Sequence, residues 1–344
     1  MAAVVVVGAQ WGDEGKGKIV DLYSQGADVI VRYAGGANAG HTLVVDGEKI
    51  VFHLIPSGAL NPRTQCVLGQ GTVIDPAVLV TDLAELKKRN LFSSDRFTVS
   101  DRAHVVLPQH VLVDTLREAG KGSIGTTKRG IGPAYEDKAA RRGIRIGDLV
   151  HKGKLEAKID ANLEAWRPVI ESLGGTVPDP APIVARYLEL GREIEALIRD
   201  AARPVQDAIA TGKRVLLEGA QGALLDVDSG TYPFVTSSST VACGACTGSG
   251  IGPTSISAVV GITKAYATRV GCGPFPTEMT GDDGKALREA GGEFGATTGR
   301  PRRCGWLDLP ALRHATRLNG LSGLAIMKVD VLTGMDEIRV CVAY

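Results

Sequence analysis

Ala2-Ala-Val-Val-Val-Val-Gly8-Ala-Gln-Trp-Gly12-Asp-Glu-Gly15-Lys-Gly-Lys18-Ile-Val-Asp-Leu22 is the stretch on which the fold turns. Residues 2–7 form an unbroken apolar, β-branched run closed by Gly8. Such a run predicts a strand buried on both faces, as in a parallel sheet. A glycine-rich turn and a second apolar stretch follow it, giving the strand, loop and helix order of a phosphate cradle. Gly12 to Lys18 fits G-x-x-x-x-G-K, so Gly12, Glu14, Gly15, Lys16, Gly17 and Lys18 are candidates to meet phosphate. The next residue should be Ser or Thr to hold Mg2+, but it is Ile19. The metal then needs another hard oxygen donor, and Asp13 lies inside the loop.

Working outward, comparable apolar runs recur at 29–33, 214–217, 258–263 and 324–329, with helix-like stretches at 81–90 and 307–318 between them. Alternating strands and helices predict an α/β fold with a mostly parallel central sheet, a P-loop-like nucleotide site and helical insertions. From 155 to 210 the charge pattern is helical, broken by a Pro-rich turn at 174–182. We read one α/β domain over 1–344 carrying a helical excursion at about 103–211, since strands resume directly after Gly212. Ile338, Val340, Val342 and Tyr344 alternate at period two and predict a terminal strand.

Arg32-Tyr-Ala-Gly35-Gly36-Ala37-Asn38-Ala39-Gly40-His41-Thr42 also follows an apolar run directly. A loop there sits at the carboxyl end of a parallel strand, in the crevice where open α/β sheets bind ligands. It brings His41 to the substrate that Asp13 faces, and an acid beside a base is the minimum needed to move a proton while polarising a phosphoryl group. The other five of the six histidines read as structural or surface residues. With 39 basic and 38 acidic side chains there is no polyanion-seeking charge, so nucleic acid is not an expected partner. No run approaches the roughly 18 residues of a membrane span and no basic leader precedes the first strand, which predicts a cytoplasmic protein. The six cysteines are scattered, and Cys243-Gly-Ala-Cys246 has no second pair at zinc-site spacing. Glycine is the anomaly, with 44 of 344 residues or about 13% against about 7% on average. The surplus lies in the loops named here and below.

These motifs resemble the adenylosuccinate synthetase family. Gln10 to Lys18 and Gly36 to Thr42 carry the likeness, continued by Gly125-Thr-Thr-Lys-Arg-Gly-Ile-Gly-Pro-Ala-Tyr-Glu-Asp-Lys138, Glu218-Gly-Ala-Gln-Gly222, Gly230 to Ser238, Gly271-Cys-Gly-Pro-Phe-Pro-Thr-Glu278 and Gly295-Ala-Thr-Thr-Gly-Arg300. The resemblance implies an enzyme that joins IMP to L-aspartate at the expense of GTP, through 6-phosphoryl-IMP, with Mg2+. It implies that Asp13 takes the N1 proton of IMP and ligates the metal, that Gly40 adds a backbone carbonyl to the metal, and that His41 donates to the phosphates. GTP contacts would run through 12–18, Gly40, His41, Thr42, Arg302, Lys328 and Asp330. IMP would meet Asp13, Glu14, Gly15, Lys16, Asn38, Ala39, Gly40, His41, Thr127, Gln221, Thr236, Val270 and Arg300. By the same likeness Arg141 reaches the IMP of the other subunit in a homodimer. Ala296, Thr297, Thr298, Gly299, Arg300 and Arg302 would form the aspartate loop, where arginine forks suit two carboxylates. Pro301 interrupts the arginine run and stiffens it.

Met327-Lys-Val-Asp330 fits the K-x-D guanine signature: Asp330 accepts the ring N–H and exocyclic amine, which adenine lacks, so GTP is expected over ATP. Phage relatives acting on dGMP lack the loop aspartate, and Asp13 therefore favours IMP. Family members usually continue beyond the last strand here with a Ser/Thr-Gly segment that completes the guanine pocket. A second reading follows from this, a nucleotide-binding or dimerising module with little turnover.

Overall fold

The computed structural model describes residues 3–38, 40–45, 48–295 and 299–344, with the backbone alone for 41–45 and 48–49. Eight strands form the central sheet: β1 Ala3–Gly8, β2 Val29–Arg32, β3 Gln65–Leu68, β4 Phe97–Ser100, β5 Ile198–Arg199, β6 Val215–Glu218, β7 Ile256–Lys264 and β8 Gly323–Met327. Their spatial order is β8-β7-β1-β6-β2-β3-β4-β5, and every pairing is parallel. The α/β class and parallel sheet read from the sequence are therefore present.

Continuous valine in β1 has its reason in burial on both faces. Val5, Val7, Val31 and Leu217 pack with Val205 and Ala208 on one side, while Val6, Ile30, Leu216 and Ile262 pack with Val20 on the other. The run at 324–329 departs from this reading. It becomes β8, an outermost strand, and its Leu324 and Ile326 are exposed.

The helices are α1 Lys16–Ser24, α2 Pro76–Lys88, α3 Pro108–Ala119, α4 Ile131–Ala139, α5 Lys152–Ser172, α6 Pro180–Ile194, α7 Ala202–Ala210, α8 Gly244–Ser249, α9 Asp282–Gly291 and α10 Leu309–Asn319. Asp75 and Asp179 accept amides at the starts of α2 and α6, each followed by proline in the first turn, where its missing N–H costs nothing. This shortens the expected Pro-rich turn: Pro180 and Pro182 belong to α6. The helical excursion packs Leu163 of α5 and Tyr187 of α6 into one cluster with Leu83 of α2 and Val99 of β4. The terminal strand is the other departure, since only Val340–Cys341 pairs, with Leu307–Asp308. Ile338 and Val342 stay exposed, so the alternation faces no packed layer among the described residues.

Candidate active site

Because every sheet strand runs the same way, the loops after β1, β2, β6, β7 and β8 emerge at one edge. β6 and β7 flank β1, and the chain order reverses there, which is where open α/β sheets leave a crevice. The loop after β1 turns through Gly12 (φ 84°) and Asp13 (φ 60°), and Gly15 (φ 91°) caps α1 in the left-handed region that glycine favours.

The loop's charged residues separate by direction. Glu14 is fully buried; its Oε1 accepts the amides of Gln10 (3.0 Å) and Gly12 (2.9 Å), and Lys16 Nζ donates to its Oε2 at 2.8 Å. Lys16 also donates to the Gln221 carbonyl. A Cβ at Gly222 would lie 2.6 Å from Glu14 Oε1, so the glycine makes room for this internal carboxylate. Asp13 and Lys18 instead face solvent. Of the phosphate-loop candidates, the structure thus turns Glu14 and Lys16 inward and leaves Asp13, Gly15 and Lys18 exposed.

Gln221, itself at φ 56°, packs its backbone against Gly12 and donates Nε2 to Asn38 Oδ1 at 3.1 Å. Its Oε1 is buried with no hydrogen-bond donor among the described residues. Two residues assigned to IMP are therefore joined side by side. Beneath them, buried Arg32 ends β2 by donating to the carbonyls of Gly36 (2.7 Å) and His53, fixing the loop that carries Asn38. Gly40 is half-buried, and His41 begins a hairpin strand, His41–Val45, paired with Glu48–Phe52. Ala39 and the side chains of His41 and Thr42 lie outside the described residues.

Arg302 lies against the loop. Its Nε pairs with Asp13 Oδ2 at 2.9 Å and its Nη1 donates to Glu293 Oε2 at 2.6 Å. Asp13 is 42% exposed and Glu293 is 1% exposed. Burial would raise the Glu293 carboxyl, but Lys264, Tyr266 and Arg302 outweigh it and hold the group below the usual carboxylate range. Gly299 and Arg300 are exposed nearby, while Ala296, Thr297 and Thr298 lie outside the described residues.

A second rim forms from three loops. Asp114 accepts from Thr126 Oγ1 (2.8 Å) and the Gly130 amide (2.9 Å), and Glu118 accepts the amides of Ile124 and Gly125, so α3 holds the loop of Thr127. A Cβ at Gly125 would sit 3.0 Å from the Gly271 Cα, which places that loop against the one after Val270. Arg269, 2% exposed, donates to the carbonyls of Cys272 (3.1 Å), Pro274 (2.7 Å) and Phe234 (3.0 Å), tying Val270 to the segment of Thr236. Burial, with Arg303 nearby, pulls its guanidinium down to about 10, still charged at neutral pH.

Lys328 follows β8 at φ 63° and donates to the Gly291 carbonyl at 2.7 Å, and Asp330 is exposed one residue beyond Val329. Met327 just before them would lie 3.6 Å from a Cβ at Gly15, so the K-x-D segment stands beside the start of α1. Arg141 is exposed just after α4, at φ 63°. Sequence reading missed Arg269, Lys264, Glu293 and Asp114. The available signal was a charged residue closing an apolar run, as Lys264 closes β7.

The adenylosuccinate synthetase family model matches residues 5–344. The chain is 58% identical to the adenylosuccinate synthetase of Sorangium cellulosum, covering 100% of this chain and 81% of that protein. It is 55% identical to that of Moorella thermoacetica with the same coverage. The structure resembles that of the fully ligated adenylosuccinate synthetase from Plasmodium falciparum, with TM-score 0.91 and 40% identity over 98% of this chain and 79% of that one. The succinoaminodeoxyadenylate synthetase of cyanophage S-2L, at 23% identity, TM-score 0.69, and coverage of 94% and 83%, shares the fold. Identity of 58% through the whole chain supports an enzyme and lends nothing to a binding module without turnover. The chain belongs to the adenylosuccinate synthetase family.

Proposed function

We propose that this chain condenses IMP with L-aspartate to adenylosuccinate, converting GTP to GDP and phosphate, with Asp13 as the base. The observation that carries this assignment is Asp13 itself. It is an exposed carboxylate in a phosphate loop whose Gly12 packs against the backbone of Gln221, the partner of Asn38, and it pairs with the Arg302 guanidinium. Removal of the N1 proton by Asp13 makes the 6-oxygen of IMP a nucleophile toward the γ-phosphorus of GTP. The aspartate amine then attacks C6, the C6–O bond breaks, and phosphate leaves. His41 donates to the phosphates as charge develops. The unpaired acceptor of Gln221 suits a purine N–H.

Asp13 and the Gly40 carbonyl would hold Mg2+. The fit is chemical: Glu14 is committed to the loop's own amides, Asp13 is the loop's exposed carboxylate, and Mg2+ keeps most of its shell for water and phosphate. When bound, the ion neutralises charge on the transferring phosphoryl group. Lys328 and Asp330 select guanine; Arg300, Arg302 and residues 296–299 take aspartate; Thr127, Thr236 and Val270 wall the IMP side. Arg141 serves the second subunit's site, making the active form a homodimer. A cytoplasmic location goes with this reading, and no described helix is long and apolar enough to cross a membrane.

A coupled absorbance assay with IMP, aspartate, Mg2+ and either GTP or ATP tests the proposal. Product is expected with GTP and little with ATP, and Asp13→Ala should lower kcat at least about a hundredfold with an unchanged circular dichroism spectrum. Near-normal turnover by the alanine variant, or a preference for ATP, overturns it.

A further inference from the structure

Behind the contact between Asp13 and Arg302 lies a second, fully buried layer. Glu293 is reached by Lys264 Nζ at 2.8 Å to each carboxylate oxygen, by the Tyr266 hydroxyl, and by Arg302 Nη1 at 2.6 Å. Lys264 is 1% exposed and also donates to Thr268 Oγ1 at 2.7 Å. The Glu293 carbonyl accepts the Arg302 amide at 2.9 Å, and the Arg302 carbonyl accepts from Arg288 Nε at 2.6 Å.

The arrangement closes a ring through the sheet. Lys264 is the last residue of β7, β7 pairs with β1, and the loop after β1 carries Asp13, which pairs with Arg302. The two ends of the guanidinium differ in strength. The Glu293 end is short, charge-assisted and out of water, whereas the Asp13 end rests on a carboxylate 42% exposed and screened by solvent. The Asp13 end is therefore the weaker of the two and the one open to competition by an anion.

We propose that Glu293, backed by Lys264 and Tyr266, is the fixed pivot on which Arg302 exchanges Asp13 for a carboxylate of the amino-acid substrate. These three are positioning residues: none faces the crevice, and each acts through Arg302. Release of Asp13 is thereby coupled to arrival of the second substrate. The kinetic part of this inference rests on the reaction proposed above; the structural part does not.

The test compares Glu293→Gln with the double variant Lys264→Met/Glu293→Gln. The single variant strands a buried ammonium and is expected to melt lower. The double variant removes both charges and is expected to regain most of the melting temperature. If the pair positions Arg302, the double variant still shows an aspartate KM raised tenfold or more, an IMP KM within twofold, and at least tenfold faster hydrogen exchange at the Arg302 amide. Recovery of the aspartate KM together with the melting temperature makes the role merely structural and overturns the proposal. Should the double variant not fold, Tyr266→Phe keeps both charges; a two- to fivefold rise in aspartate KM is expected, and no rise counts against the pivot. A protein that makes no adenylosuccinate refutes the proposed reaction, while unchanged exchange at Arg302 refutes the pivot by itself.

Discussion

Arg269 sends its guanidinium to three backbone carbonyls in two segments, a task for which a planar fork is suited and a single ammonium is not. Arg269→Lys should therefore leave acceptors unpaired and cost about 2–3 kcal/mol of stability, measured by denaturant titration. It should also raise the IMP KM more than the GTP KM, and parallel changes in both would argue against a local clamp. Residues of this kind were hidden in the sequence for a physical reason. A buried arginine looks the same on paper as a solvated one, and the partners of Lys264 and Asp13 stand 29 and 289 positions away. Asp13 was legible because a glycine turn at a strand end announces it, whereas Asn38 and Gln221 entered only through the family resemblance. Within that glycine loop the sequence singled out Asp13 but gave no sign that Glu14 and Lys16 turn inward, because direction depends on φ and on the space left by Gly8 and Gly222.

At the level of elements, one carboxylate joins three helices. Asp137 of α4, 1% exposed, accepts from His110 Nε2 of α3 (2.8 Å), from Asn162 and Trp166 Nε1 (3.1 Å) of α5, and from Arg142. The Leu107 amide donates to His110 Nδ1, so the ring turns its N–H toward Asp137. Burial alone would raise the Asp137 carboxyl, but the bonds from His110, Asn162 and Arg142 outweigh it and bring the group from 3.8 to about 2. A depressed carboxyl stabilises the fold above its unfolded value and loses that contribution as pH falls through the folded one. The stability advantage over Asp137→Asn should thus be about 2 kcal/mol near pH 6, shrinking between about pH 4 and pH 2. A pH-independent difference in urea midpoints would refute this account. Element boundaries followed the same logic of burial. Strands enclosed on both faces, β1, β2, β6 and β7, were readable as apolar runs, whereas β3 and β4 mix in Gln65, Thr98 and Ser100 and escaped notice.

For the whole molecule, the order β7-β1-β6-β2 dictates how the sheet is completed. Ala3 pairs with Val215 on one side and with Ile256 on the other, so the first strand is finished only by segments more than 200 positions later. A fragment ending at residue 211 would retain β1 through β5 yet leave both edges of β1 open, a template for edge-to-edge association. Expressed alone, it should sediment as aggregate and show no cooperative thermal transition. A monomeric fragment with a sharp transition would contradict this. Long-range pairing of this sort also slows folding. At translation speeds of about 5–20 residues per second, β1 waits roughly 10 to 40 s for its first neighbour. Throughout that interval a bare valine ribbon hangs outside the ribosome, making the growing polypeptide a natural client for holding chaperones until its middle third has been made.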